Sequence, residues 1–524
     1  MNTSRIFDSA MAGLQVAQAG MLTTSQNVTG SSVEGYVRRS PVANVSSLAA
    51  SSIDLAGTSF AVEGFSRNYS ALLQKQLLTQ IGRGAYSSEL TRAVAGIDAM
   101  LINPDTSIAS AVGNFFNAAG ALSSDPTNIA FQQSLIGNAK QVVLRVRTLA
   151  DAINTVASDA QQGMADVLNS ANTLSSQLAD VNARIQAGNA PGVSYPSADL
   201  LDERDRLVAK LQELVGGTSL INSDGTASHQ IDGLSLVDKD VANRFVNQGG
   251  GSPVRADQVP DGIRLQVRVG MATTLADDKE IELIQPATTT PSGVILSSRS
   301  VFSDGKAGAY MELLTGFVPM MQRGLNLFAA TLAADVNSKM PAAANRIFGF
   351  EQAAGPAMTD SSTIKSMAGY DSSQNLTDFM KVLDASDPSS ASGVYKPVVE
   401  SKLLSDDVSA LKLVVVATSD AGQFANVSTQ VAQNLESLRD SFIAPLTTLT
   451  TRPATLINGW QQDARMNETL QKSLQDQKNA ISGVNLDEEA ANLVKYQQLY
   501  NASSKLIQTG QQMFDMLLAM LTGR

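Results

Sequence analysis

The stretch that most constrains this chain is its last long one. Ser482 to Leu521 reads SGVNLDEEAANLVKYQQLYNASSKLIQTGQQMFDMLLAML. Leu486, Ala490, Leu493, Tyr500, Ile507, Phe514 and Leu521 recur at three- and four-residue spacing, with Gln497, Ser504 and Gln511 completing the rows. A second row, Leu499, Leu506, Met513 and Leu517, widens the stripe. This is the period of an amphipathic helix. Asn485 can cap it, and Glu488 follows three residues later, the spacing of a capping box. Asp487, Glu488 and Glu489 put negative charge in the first turn, where the helix dipole favours it. Ends of chains usually fray, so an apolar stripe here must be covered, by its own domain or by another subunit.

The opening of the chain mirrors this pattern. From Ser4 to about Asn27, Phe7, Met11, Leu14 and Met21 follow the same spacing, interrupted at Gln18. The pattern stops at Asn27 and Gly30, which are helix-stop residues. SVEGYVRRS follows: Gly35 and Tyr36 read as a tight turn into a short extended segment carrying Arg38 and Arg39.

Between the ends the period changes twice. Residues 40–68 are rich in Ser, Ala and Gly with weak strand signals, and helix returns at about Tyr69. Leu90, Val94, Ile97 and Leu101 form one stripe, ended by Asn103-Pro104. Another helix begins near Pro126. Val142, Val146, Leu149, Ile153 and Val156 form a heptad run that resumes from Met164 to Ile185, which predicts a long helical hairpin or bundle. GNAPGVSYP is a loop by composition, and DLLDERDRLVAKLQELVGG is a further helix. From about 218 to 302, short alternating runs separated by DG, GGG and PDG turns predict an inserted antiparallel β domain. Helix resumes at Gly308. Residues 340–420 are irregular apart from one strand, Leu411 to Thr418. Helices are expected from about Phe424 to Phe442 and from about Ala454 to Ile481.

Length and composition bound what such a chain does. At 524 residues it exceeds one core, and about three domains is the expectation. Lys plus Arg total 38 against 49 Asp plus Glu, a net charge of −11, which argues against a phosphate-binding surface and so against nucleic acid. Charged residues are only 17%, below the roughly 25% usual in soluble domains. A surface built of Ser, Thr, Asn, Gln and Ala can be buried against identical neighbours without removing many charges from water. With no Cys in the chain, disulfides, thiolate metal sites and cysteine nucleophiles are ruled out. MNTSRIFDSAMAGLQ lacks the cationic and apolar regions of a cleaved secretory signal. No run of apolar residues is long enough for a membrane span.

Candidate chemistry is sparse. Asp199, Asp202 and Asp205 lie three apart on one helix face and could bind a cation or act as an acid–base pair; the plainer reading is a solvated face with Arg204 and Arg206 as partners. His229 is the only histidine, and a lone His without Cys is not a zinc site. No Ser has the nucleophile-elbow context. Gly249 to Gly251 precede Ser252-Pro253 and no helix, so they form a turn and not a phosphate cradle. Trp460 lies in a helical pattern and reads as core. No catalytic, cofactor or metal site is expected, and the reading is of a protein that is not an enzyme.

The two ends together resemble a known family. SAMAGLQVAQAGMLTTSQNVTGSSVEGYVRR (Ser9 to Arg39) resembles the opening of bacterial flagellar axial proteins, a helix with an Asn-rich stop followed by Gly-Tyr-x-Arg. SGVNLDEEAANLVKYQQLYNASSKLIQT (Ser482 to Thr509) is similar to the tail of the flagellar hook-associated protein 1 family, the hook–filament junction proteins, most of all in VNLDEEAANL. DLLDERDRL and GFSRNYSALLQKQL (Gly64 to Leu77) resemble interior segments of the same family. The resemblance implies a mainly α fold with an inserted β domain. Residues 1–36 and 485–524 would form a terminal helical core, disordered in the monomer and paired as a stalk once assembled. Residues 37–215 and 303–484 would form a helical bundle, and 216–302 an outer antiparallel β domain. It implies an extracellular flagellar protein exported without a cleaved signal. Its partners would be itself as a ring, hook protein, the second junction protein, and an export chaperone at the C-terminal helix. The assembly interface would draw on Phe7, Met11, Leu14, Met21, Asn27, Gly35, Tyr36, Arg38, Leu486, Ala490, Leu493, Tyr500, Ile507, Phe514 and Leu517, with Asn485 and Glu488 as helix cap. Other flagellar axial proteins (flagellin, hook protein, the second junction protein), an unrelated coiled-coil scaffold and a carboxylate hydrolase are the competing readings.

Overall fold

In the computed structural model the described residues are 3–47, 58–103, 107–189, 197–247, short strand segments between 263 and 300, 301–341, 345–367, 409–417 and 427–521. The chain opens with helix α1 (Thr3–Gly30) and then a hairpin, β1 (Arg39–Ser47) and β2 (Thr58–Arg67). The hairpin runs in register from Arg39 opposite Arg67 to Ser47 opposite Thr58, with a shift between Val42 and Ala43. Helices α2 (Ala71–Ile102), α3 (Ile108–Ser124), α4 (Ile129–Gly188) and α5 (Ala198–Val215) follow. Ser70, Ser107, Asn128 and Ser197 cap them, each side chain accepting an amide of the first turn. Such caps satisfy donors that a helix start otherwise leaves unpaired.

Where the heptad runs predict a long helical hairpin or bundle, residues 129–188 form a single helix of 60 residues within the helical body, about 90 Å long at 1.5 Å per residue. The two heptad runs are joined without a break because Ala157 and Ala160 continue the buried stripe between Val156 and Met164. The β insertion comes next. β3 (Thr218–Ile221), β4 (Ala227–Ile231), β5 (Leu234–Asp238) and β6 (Val241–Ala242) form one antiparallel sheet in that order. β7 (Arg244–Asn247), β8 (Ile263–Val267) and β9 (Lys279–Glu282) form a second. Two small pairs complete it, β10 (Ile284–Gln285) with β13 (Arg299–Ser300) and β11 (Thr288–Thr289) with β12 (Ile295–Leu296). The expected glycine turn at 249–251 lies outside the described residues.

Helix α6 (Gly305–Glu312) passes through a π turn (Leu313–Phe317) into α7 (Val318–Ser338). β14 (Phe348–Phe350), helix α8 (Ser361–Met367) and β15 (Leu413–Val415) follow, β14 pairing with β15. The expected strand from Leu411 shrinks to three residues because Ala410–Lys412 form a 3-10 turn. Helices α9 (Thr429–Glu436), α10 (Arg439–Ser482) and α11 (Leu486–Leu521) complete the fold. α10 joins what the sequence divided near Phe442 and Ala454, running through Pro445 and Pro453. Each proline forfeits one helical hydrogen bond, yet Phe442, Leu446, Leu449 and Ile457 stay buried along the same rows.

Apolar packing centres on α4, with Phe115, Phe116, Phe328, Phe348 and Phe442 in ring contact at one end. Trp460 sits on Phe317 with centroids 5.4 Å apart. Helices are fastened to strands by a recurring polar device, a helical asparagine whose amide pairs with a strand's backbone. Asn172 bonds the Phe245 carbonyl at 2.9 Å and amide at 2.7 Å. Asn182 donates to the Ala227 and Lys239 carbonyls and accepts the Ala227 amide. Asn337 donates to Phe348 and Thr359 carbonyls and accepts the Ile347 and Phe348 amides. A carboxamide carries both donor and acceptor, so it can stand in for the missing neighbour of a strand edge without bringing in a charge.

His229 is fully buried in β4, its Nδ1 2.8 Å from Ser219 Oγ. Burial depresses its pKa from 6.5 to about 4. Above pH 6.5 the ring is neutral whether the chain is folded or not. As pH falls toward 4 the unfolded chain takes up a proton that the fold refuses, so stability is lost over that window. We expect roughly 2–3 kcal/mol of such loss between pH 6.5 and 4.5. Urea unfolding of the parent and of His229→Gln across that range checks it, since the variant lacks this component.

Candidate assembly site

α1 and α11 pack along one another as a two-helix rod, and their seam is built of small residues. Ala10, Ala17, Thr24 and Asn27 of α1 are buried, with Gly13 and Gly20 between them. Facing them, Glu489, Tyr496, Ser503 and Gly510 recur every seven residues of α11. A β-carbon on Gly20 would overlap the Tyr496 ring, and one on Gly13 would overlap the Ser503 hydroxyl. Phe7 lies over Gly510, 3.1 Å from where a β-carbon would stand. Small residues let two helix backbones approach closely, and here the aromatic of one helix fills the glycine of the other.

This seam leaves much of the expected apolar stripe outside. Met11 is 54% exposed, Leu486 55%, Leu506 49% and Phe514 51%. Tyr500 and Ala490 are also exposed, while Phe7, Leu14, Met21, Leu493 and Ile507 are half-buried. The Leu517 side chain lies outside the described residues. The sequence stripe followed the large residues, whereas packing within the chain uses the small ones beside them.

At its root the rod meets the body through the hairpin. Asn27 repeats the asparagine device on β1, its Nδ2 donating to the Arg39 carbonyl and its Oδ1 accepting the Arg39 amide, both at 3.0 Å. The Tyr36 hydroxyl donates to the same Oδ1 at 2.9 Å. Gly35 takes φ +83 to make the turn before it. Arg39 lies over the Tyr36 ring, 4.7 Å from the centroid. Burial raises the Tyr36 pKa, and the Arg39 charge only partly offsets it.

Neighbouring residues of an extended chain point to opposite sides, and Arg38 and Arg39 use both. Arg39 pairs with Asp199 at 2.5 Å and Asp202 at 3.0 Å on α5. Arg67, opposite it on β2, pairs with Asp202 at 2.7 Å and Asp205 at 2.6 Å. Arg204 holds Asp205 at 2.6 Å and donates to the Gly225 carbonyl. The expected solvated acidic face is therefore a buried ion cluster, with Asp202, Asp205, Arg39 and Arg204 all below a tenth exposed. Its partners come from the hairpin more than from Arg204, and Arg206 turns away to Glu203. Burial pushes the Asp202 carboxyl up against the pull of Arg67 and Arg39. Burial likewise lowers the neighbouring Lys478 ammonium of α10.

Arg38 points the other way, its Nε 2.8 Å from Glu489 and its Nη1 2.8 Å from Glu488 of α11. Its amide donates to the Ser482 carbonyl at the end of α10. Asn485 Oδ1 accepts the Asp487 amide at 3.0 Å and so caps α11. Glu488, expected to close a capping box, spends its carboxylate on Arg38 instead. Among the described residues no group of His, Cys, Asp or Glu is arranged to hold a metal ion, and no helix is long and apolar enough to cross a membrane.

The described residues thus form a helical body carrying a β insertion, with the first and last helices paired into a rod. Residues 94–343 match the model for the flagellar hook-associated protein FlgK helical domain. Residues 477–520 match the flagellar basal body rod FlgEFG protein C-terminal model. Flagellar hook-associated protein 1 of Escherichia coli (strain K12) is 24% identical over 570 aligned residues, spanning 98% of this chain and 99% of that one. The same-named protein of Salmonella typhimurium is 23% identical, with equal coverage. A solved flagellar hook junction protein FlgK from Burkholderia pseudomallei is 19% identical and covers 53% of this chain and 47% of that one. Its TM-score of 0.41 is too low to bear on the fold. Over nearly its whole length the chain is similar to the flagellar hook-associated protein 1 family, a family of structural flagellar proteins.

Asp202 bridges Arg39 and Arg67, and each keeps a second carboxylate, Asp199 or Asp205, when Asp202 is lost. Asp202→Asn should therefore cost less than the about 3–5 kcal/mol of breaking an isolated buried pair, whereas adding Arg67→Met, which also takes a partner from the buried Asp205, should cost more. Urea midpoints of the single and combined variants decide this.

Proposed function

We propose that this chain is a structural adaptor at the junction of hook and filament, assembling as a ring through its paired terminal helices. The observation that carries this reading is the outer face of the rod. Met11 and Leu22 of α1 and Leu486, Val494, Leu506 and Phe514 of α11 remain exposed there. These large apolar side chains lie outside the seam, around the rod, and neighbouring copies of the same rod would bury them. The low fraction of charged residues suits repeated contact between identical subunits. In this reading the rods form the innermost layer, the helical body the next, and the β insertion the outside. Hook protein below and the second junction protein above complete the stack. Before assembly the C-terminal helix is the surface for an export chaperone.

The similarity to flagellar hook-associated protein 1 over nearly the whole length of those relatives supports a flagellar role. Leu506→Asp and Phe514→Asp alter only exposed positions, so both variants should fold. In cells lacking the native protein they should leave hooks bare of filaments and abolish swimming. Circular dichroism and electron microscopy of isolated hooks read the two effects. Normal filaments on either variant would contradict assembly through this face.

A further inference from the structure

The four-stranded sheet of the β insertion joins the body through a narrow stem. The chain enters it at Gly216–Gly217 and returns at Asp304–Gly305, and the two crossings touch. A β-carbon on Gly216 would lie 2.7 Å from the Asp304 backbone, and one on Gly305 would lie 2.5 Å from the Gly216 nitrogen. Gly216, Gly217 and Gly305 all take positive φ there. A chain of hydrogen bonds crosses the stem from α5 into the sheet. Gln212 donates to the Gly217 carbonyl at 2.9 Å and accepts from Ser219 Oγ at 3.4 Å. The same Oγ lies 2.8 Å from His229 Nδ1. His229 is fully buried, and its Nε2 makes no hydrogen bond. The hold of α4 on this sheet is uncharged: Asn182 accepts the Ala227 amide and donates to the carbonyls of Ala227 and Lys239.

Charged side chains on the surrounding elements are engaged elsewhere. Glu213 of α5 holds Lys306 of α6, Arg204 and Asp205 of α5 hold one another, and Asp238 of β5 accepts from Ser228. Asp304 at the return crossing acts on Tyr86 of α2. Asp232 and Lys239 stand in the turns at the two ends of β5, and β3 carries no titratable side chain. None of these charges bears on the ring, whose charged form is opposed by burial and favoured only by the Gly216 backbone. A charged imidazole therefore gains its water only when the sheet has come away from the stem.

We propose that His229 is an acid-operated release for this sheet: a proton on its ring lets β3–β6 come off the helical body while the body stays folded. The ring sits where α5 hands the chain to the sheet, so hydrating it breaks the Ser219 link across the stem. Neutral, the ring closes that link; charged, it favours the opened sheet. This goes beyond the adaptor reading and does not rest on it, since it concerns the insertion and not the rod.

Hydrogen exchange of the full-length chain tests this, read by mass spectrometry from pH 6.5 to 4.5 and corrected for the intrinsic exchange rate. At every pH the amides of β3–β6 should be less protected than those of the buried α4 stretch from Leu135 to Val156, since the sheet opens without the body. Their protection should fall about 100-fold across the range, tenfold for each pH unit below the unfolded histidine's pKa. His229→Gln keeps a polar planar side chain that does not titrate, and it should remove most of that fall. Equal protection of sheet and α4 in the parent would overturn the proposal, because the sheet would then open only with the whole chain. So would unchanged sheet protection across the range in the parent. The same fall in a His229→Gln chain whose circular dichroism matches the parent would overturn it as well. The two parent measurements decide without any variant, and none of the readouts involves hooks or filaments, so failure here is separable from failure of the adaptor reading.

Discussion

Arg38 and Arg39 occupy adjacent positions at the start of a short strand, and extended backbone forces them to opposite faces. One guanidinium reaches α5 and the other reaches α11. That strand ties both helices of the rod to the body, beside the direct chain link from α10 into α11. The buried cluster of Arg39, Arg67, Asp202 and Asp205, with Asp199 at its exposed edge, is expensive to desolvate. What it supplies is direction: paired guanidinium and carboxylate planes accept few relative orientations, so the rod leaves the body at a defined angle.

The seam solves a second constraint. A helix that must pack on its own partner and on neighbouring copies needs two faces. Gly13, Gly20 and Ser503 take the inner one, so the rod is thin and its larger side chains remain outside. The same economy recurs in the body, where Asn172, Asn182 and Asn337 fasten strands to helices without charge. The unusual richness in neutral polar residues and the low charge are thus used twice, inside for strand docking and outside for a surface that identical chains can bury.

Much of this was legible because local rules decided it. The ends of α2 at Asn103, the start of α5 and the change of period at the β insertion follow capping and alternation. The 60-residue α4 was not legible as one helix, since alanines at 157 and 160 interrupt a hydrophobic pattern without interrupting a helix. α10 was divided for the matching reason: Pro445 and Pro453 are read as breaks unless burial on both sides outweighs two lost hydrogen bonds. The acidic run at Asp199–Asp205 was misjudged because its partners, Arg39 and Arg67, stand far away in sequence. The rod's stripe was traced through Leu, Phe and Met, while the seam lies on glycine, alanine and serine, which periodicity of hydrophobicity weighs least. Spacing of small residues at Gly13, Ala17 and Gly20 was the available signal.

The measurement that bears most directly on this account is electron cryomicroscopy of the hook–filament junction with this protein in place. The account predicts the α1–α11 rods as the innermost layer, with Met11, Leu506 and Phe514 buried between neighbouring copies and Arg39 still seated on the α5 carboxylates. Rods lying on the outer surface, or those apolar side chains facing solvent in the ring, would contradict it.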